Sequence, residues 1–262
     1  MTESTLFAAA FILYILAAGF YLATTFSKIK RRAPLGFWLG LAGLALHTLA
    51  LVLRTSESGH APFTNMYESL SFLAWSVALA CAVTVRRFGL PRIGGYLMLI
   101  VIALVALASS PLMPKEAAPL VPALQSIWLW LHVSVTILGE AFFAVAFVAS
   151  LVYLAARDDA KRAQMDDLAY RCVAVGFPLF TLGGLVFGMV WAAKAWGTYW
   201  SWDPKEVWSL ITWFVFALYL HTRIVMGWKG KRSAVIAVIG FLAALFTYFG
   251  VNYLLNGLHS YA

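Results

Sequence analysis

Charge is scarce in this sequence. Its 19 Lys and Arg and 11 Asp and Glu make up 11% of 262 residues, where a domain whose surface faces water carries roughly a quarter. That shortage excludes an ordinary soluble enzyme. Cysteine is scarcer still: Cys81 and Cys172 are the only two, each within or at the end of an apolar run. There is no C-x-x-C and no C-x-x-C-H. The chain therefore has neither a thioredoxin-type dithiol nor a c-type haem attachment sequence of its own, and its two thiols read as packing residues. The opening Met1-Thr-Glu-Ser lacks a basic segment, and no small-residue cleavage site precedes residue 30, so the first apolar run reads as a retained helix.

What the sequence has in quantity is apolar surface. Hydrophobic residues make up 63% of the chain, about 165 positions, which nearly matches the roughly 160 that eight membrane helices of ~20 residues need. Apolar runs lie at about 5–26, 35–53, 67–85, 93–109, 127–156, 172–193, 207–226 and 234–254. The expected fold is an all-α, polytopic membrane helix bundle of about eight transmembrane helices. The basic residues fix its orientation, because short basic loops stay cytoplasmic. Connections after spans one, three, five and seven hold 15 of the 19 Lys and Arg; the other sides hold only Arg54, Lys115, Lys194 and Lys205. Both termini are thus expected on the non-cytoplasmic side. The net charge of +8 is accounted for by this bias, and no nucleic-acid partner is implied.

No linker or internal repeat is evident, so 1–262 reads as a single integral membrane domain. The stretch 157–171, with four Asp among its basic residues, reads as a solvated cytoplasmic loop. The external segments are then 54–66, 110–126, 194–206 and the tail 255–262.

Histidine and tryptophan carry the chemistry. His47 lies in span two and His221 towards the cytoplasmic end of span seven; an ionisable side chain inside a bilayer is a functional candidate by default, the alternative being a neutral imidazole bonded to a neighbouring helix. At ~1.5 Å per residue, His47 lies ~18 Å and His221 ~8 Å from the inner ends of their spans. One iron joins them only if those spans are shifted, broken or tilted. His132 at the entry to span five and His259 in the tail both fall near the outer face, and two imidazoles from separate helices can hold a haem between them. His60, in an external loop, reads as solvated. Six of the 11 tryptophans (Trp191, Trp196, Trp200, Trp202, Trp208 and Trp213) fall within 191–213. An aromatic belt needs fewer, and the excess favours a flat aromatic shelf for a large planar ligand such as a porphyrin. In the same segment Asp203, Pro204 and Glu206 form a helix-start signature of N-cap, N1 and N3.

These residues resemble a known family. Trp196-Gly-Thr-Tyr-Trp-Ser-Trp-Asp-Pro-Lys-Glu-Val-Trp208 is similar to the tryptophan-rich WWD signature of haem-handling proteins in cytochrome c maturation. Ser58-Gly-His-Ala-Pro-Phe-Thr-Asn-Met-Tyr-Glu-Ser-Leu70 and Gly257-Leu-His-Ser-Tyr261 narrow the match to the CcsA, or ResC, type of system II cytochrome c synthase. The resemblance runs from about residue 35 to the end, in three separated motifs. It implies an external WWD loop over about 191–208, in which Trp196, Trp200, Trp202 and Asp203 meet haem b. His132 and His259 are implied as axial ligands of the external haem, and His47 and His221 as a second pair that receives haem from the cytoplasmic side.

The implied activity is that of a holocytochrome c synthase subunit, presenting haem for thioether attachment to the C-x-x-C-H segment of an apocytochrome c. A ResB- or CcsB-type membrane subunit and a thioredoxin-like thiol-reducing protein are implied partners. The implied location is the bacterial cytoplasmic membrane or the thylakoid membrane, with the active loops facing the periplasm, outside or lumen. Three other readings compete. A CcmC-type protein hands haem to a chaperone, but eight spans and two extra membrane histidines argue against it. A b-type electron carrier explains paired histidines but not the crowded tryptophan loop. A transporter unrelated to haem needs buried mid-membrane charge, for which Glu140 is the acidic candidate.

Overall fold

The computed structural model describes residues 2–26, 33–113, 115–116, 120, 124–255 and 257. No strand occurs among them, and eight helices are long and apolar enough to cross a membrane. The chain divides into two compact units, Met1–Leu120 and Val121–Ala262.

The first unit comprises α1 (Glu3–Phe26), α2 (Ala33–Ser58), α3 (Met66–Phe88) and α4 (Pro91–Ser109). α1 packs along α2 and α4, and α3 packs on α4. Asn65 caps α3 by accepting the Glu68 N–H at 2.9 Å. Where α2 hands over to α3, Arg54 and Glu68 form a buried ion pair at 2.8 Å, with side chains 11% and 0% exposed. The second Glu68 oxygen accepts the Thr64 N–H and hydroxyl, while Arg54 also donates to the Lys115 carbonyl and lies over the Tyr67 ring. Both charged side chains are buried, so removing one partner strands the other's charge. Arg54→Leu is expected to destabilise the protein by about 3–5 kcal/mol in thermal unfolding in detergent, and Arg54→Leu with Glu68→Leu to recover much of that loss. Equal destabilisation by the single and double variants would contradict the coupling.

The second unit begins with α5 (Ile127–Ala155). A continuous helical rod then runs from Asp159 to Trp196, built from α6 (Asp159–Phe180), a π-helical segment Thr181–Phe187 and α7 (Gly188–Trp196). α8 (Pro204–Ile224) and α9 (Lys231–Leu245) follow, then a second π segment, Phe246–Gly250, and the short α10 (Val251–Leu254). α5 packs against α6 and α9, and α8 packs against α9.

Two expectations are corrected. The stretch 157–171 is not a loop: Asp158 caps α6 through the Ala160 N–H, and an Asp167–Arg171 pair at 2.7 Å supports the helix along one face. The rod has 38 residues, about 57 Å at ~1.5 Å each, so its polar first turns extend past a ~30 Å hydrocarbon core. Asp166 then reaches Arg223 at 2.7 Å and the Gly230 N–H at 2.8 Å, tying this extension to the α8–α9 turn. His60 is likewise not solvated: it is 4% exposed, and its Nδ1 donates to the Ala61 carbonyl at 3.0 Å. The loop folds back on itself through Ser58 and packs Phe63 inward against Phe72.

Candidate functional site

His132 stands near the start of α5, whose first turn is capped by Ser126 accepting the Trp128 N–H. Its Nδ1 lies 2.8 Å from the Gly183 carbonyl. A carbonyl only accepts, so Nδ1 carries a proton, and in the neutral ring Nε2 then holds the lone pair. A backbone acceptor of this kind fixes the tautomer and orientation of a histidine ligand.

The contact depends on local backbone form. Gly183 lies in the π-helical segment, a form common at functional sites. A Cβ at Gly183 would collide with the backbone at Val135 and Thr136, so only glycine lets this turn approach α5. Gly188 is the second such position, since a Cβ there would sit 3.0 Å from the imidazole. Beyond it the ring stacks on Trp191, with centroids 5.8 Å apart at 11°. Trp191 is buried and meets Trp196 edge to face at 4.8 Å. Trp128 packs on Phe187 at 6.0 Å, and Lys194 lies 5.9 Å above the Trp128 ring. The start of α5, the π turn and α7 thus build one aromatic wall with an oriented imidazole in it.

The loop beyond α7 carries the rest. Asp203 is the N-cap of α8, with Pro204 in the first turn and a complete capping box to Glu206, as the sequence signature indicates. Trp200 and Trp202 meet edge to face, with centroids 5.8 Å apart at 87°. These rings do not form the expected flat shelf; steep indole pairs present both faces and edges. Trp208, half-buried, packs on Phe246. Lys205 donates to Asn252 at 3.0 Å, fastening the start of α8 to α10. The tail carrying His259 follows, and His259 lies outside the described residues.

The remaining histidines are placed differently. His47 is fully buried in the first unit, with Nδ1 3.2 Å from the Tyr14 hydroxyl, Nε2 2.9 Å from the Ser71 hydroxyl and Phe7 against its ring edge. Both nitrogens are engaged, so iron ligation there requires exchange of one partner. His221 is exposed in the last turn of α8, in the second unit, and its carbonyl accepts the Val225 N–H. The structure brings His132 together with Trp191 and Trp196, and Trp200 with Trp202. Sequence reasoning missed Gly183 and Gly188; paired glycines in an apolar run are the only signal, and close helix packing uses the same pattern.

The comparisons agree with this architecture. Residues 63–259 match the family model described as Cytochrome C assembly protein. The chain is 43% identical over 238 residues to the cytochrome c biogenesis protein CcsA of Chlamydomonas reinhardtii, covering 85% of this chain and 67% of that one. It is 38% identical over 281 residues to CcsA of Guillardia theta, covering 95% and 92%. The CcsA of Gloeobacter violaceus is 36% identical over 319 residues, covering 97% and 94%. Among solved structures, a cytochrome c heme lyase, CcmF, superposes with a TM-score of 0.66 at 19% identity, over 95% of this chain and 47% of that one. The chain thus spans about half the length of that structure, and the likeness is one of fold. A matched family model over most of the chain, and relatives this similar over two thirds or more of their own length, establish an integral membrane protein of cytochrome c maturation that works with haem and apocytochrome c. The chain belongs to the cytochrome c assembly family, as a CcsA-type cytochrome c biogenesis protein.

Proposed function

We propose that this chain binds haem b at the wall around His132 and presents it on the non-cytoplasmic face for covalent attachment to an apocytochrome c, as the haem-handling subunit of a holocytochrome c synthase. The observation that carries the reading is the His132–Gly183 contact beside stacked Trp191. It provides an imidazole of fixed tautomer, with Nε2 as the ligating nitrogen, in an aromatic setting suited to a porphyrin. His259 is the proposed second axial ligand. Trp196, Trp200, Trp202 and Asp203 are proposed to border the macrocycle. His47 and His221 are proposed as a second, membrane-embedded pair that receives haem from the cytoplasmic side, with His47 releasing Tyr14 or Ser71 when it ligates.

The chemistry is addition of a C-x-x-C-H thiol across a vinyl group: one C–S and one C–H bond form, the S–H bond and the C=C π bond are consumed, and no electrons are transferred. The chain's residues act by holding and orienting. His132 would hold the iron, Trp191 limits the imidazole's tilt, and the indoles of Trp200 and Trp202 would border the reacting edge. The thiols must arrive reduced, and with Cys81 and Cys172 both buried and unpaired to each other a thioredoxin-like reductant is the proposed partner, together with a ResB- or CcsB-type membrane subunit. The basic-loop bias supports an orientation with both termini outside, in a bacterial cytoplasmic or thylakoid membrane.

The test is co-expression of the chain, a ResB-type subunit and a reporter apocytochrome in a bacterium without its own maturation system. Haem that survives denaturing electrophoresis is expected on the C-x-x-C-H reporter and not on its S-x-x-S-H version. Delivery of haem only non-covalently, to a soluble carrier, would overturn the proposal in favour of simple transfer.

A further inference from the structure

Trp202 is the one non-glycine residue with positive φ, at 60°, among the described residues, and it is 70% exposed. Steric repulsion between Cβ and the backbone opposes this conformation in any residue but glycine, and most of all in a bulky one. It persists only where the surroundings over-determine it. An edge contact with Trp200 leaves the indole mostly exposed, so burial does not hold this conformation, and the determinant is whatever holds the backbone on either side of it.

Glu206 supplies it. A single carboxylate oxygen, Oε2, accepts the Ser201 N–H at 2.8 Å, the Asp203 N–H at 3.2 Å and the Ser201 hydroxyl at 3.2 Å. Ser201 and Asp203 are the residues immediately before and after Trp202. Two amides that flank a left-handed residue and converge on one anion form a nest, here closed around the chain's own side chain. A capping box accounts for the Asp203 N–H alone; the two bonds to Ser201 lie outside the helix, and capping does not require them. The second Glu206 oxygen is buried without a partner, so the carboxylate is turned into the loop and not out to solvent.

We propose that Glu206 is a positioning residue: its carboxylate clamps the amides on either side of Trp202 and thereby sets the direction in which that indole projects towards haem. The inference rests on the reading of this loop as a haem-contacting wall. It goes further by assigning the loop's conformation to one side chain that touches no substrate.

Chymotryptic cleavage of the purified, haem-free protein at Tyr199, Trp200 and Trp202 tests the clamp, and the haem absorption spectrum of the loaded protein tests its purpose. Proteolysis tracks the population of the open loop, so Glu206→Ala is expected to raise the cleavage rate about tenfold or more, with far-UV circular dichroism unchanged. Its haem spectrum is expected to shift or diminish. Glu206→Gln is expected to stay near the parent in both, because its carboxamide oxygen still accepts. If Glu206→Ala does not fold, Glu206→Asp takes its place, being acidic at the helix start but one methylene too short to reach Ser201. A cleavage rate within about twofold of the parent in the alanine or aspartate variant overturns the clamp. Faster cleavage with an unaltered haem spectrum leaves the clamp standing and instead removes Trp202 from the haem site, which is the failure of the underlying functional reading.

Discussion

Purified His132→Ala protein is expected to carry at most about one-tenth of the parent's haem per chain, and added imidazole is expected to restore a substantial part of it. Such a loss needs at least a tenfold weaker Kd, about 1.4 kcal/mol or more of binding free energy, a modest demand for removal of an axial ligand. The expectation follows from the fixed tautomer: Nδ1 is committed to the Gly183 carbonyl at 2.8 Å, so Nε2 is the nitrogen directed to iron. The variant opens a space next to Trp191 that free imidazole fills, which ties the loss to ligation and not to unfolding. Haem content and the absorption spectrum, read on the same sample with circular dichroism, decide it. Full haem occupancy with an unshifted spectrum would remove His132 from the site.

The second large effect is expected at Gly183. An added Cβ would lie 2.7 Å from the Val135 carbonyl carbon, 2.8 Å from the Thr136 hydroxyl and closer still to the Thr136 nitrogen. These are backbone or backbone-held atoms of α5 and cannot swing aside. Gly183→Ala is therefore expected to cost more than about 4 kcal/mol, at the upper end of single substitutions, because it forces two packed helices apart. It should also draw the carbonyl away from His132 and lower haem content in whatever protein folds. Gly184 is the internal control. A Cβ there meets only the Phe180 ring at 3.6 Å, ordinary van der Waals contact, so Gly184→Ala is expected to be neutral or to stabilise by up to about 1 kcal/mol through helix propensity. Thermal unfolding of both variants in the same detergent makes the comparison; similar behaviour of the two would contradict the close-approach account.

The parts of this fold that the sequence makes legible are those governed by a single strong local rule. Apolar runs near the length of a bilayer crossing become eight spans, because backbone polar groups in hydrocarbon must be satisfied within each helix. Asp203, Pro204 and Glu206 start α8 because cap chemistry is decided over four residues. What escaped reading depends on two elements at once. The segment 159–171 looks like a loop by hydropathy, yet a helix continues through charge when it is capped by Asp158 and braced by the Asp159–Arg162 and Asp167–Arg171 pairs, three and four residues apart. His60 is polar and lies between turn residues, and its burial follows only once Phe63 and the Ser58 turn are folded. The π turn at 181–187 is set by its approach to α5, which no window along the chain contains. His47 shows the same limit: its place in span two is plain, but its bonds to Tyr14 and Ser71 come from two other helices.

The central claim is that His132 ligates haem iron. The most direct measurement is electron paramagnetic resonance of the oxidised, haem-loaded protein beside its His132→Cys variant. The parent is expected to show low-spin iron with two imidazoles, and the variant a changed signal in which a thiolate replaces one of them. Identical signals from the two proteins would contradict the account.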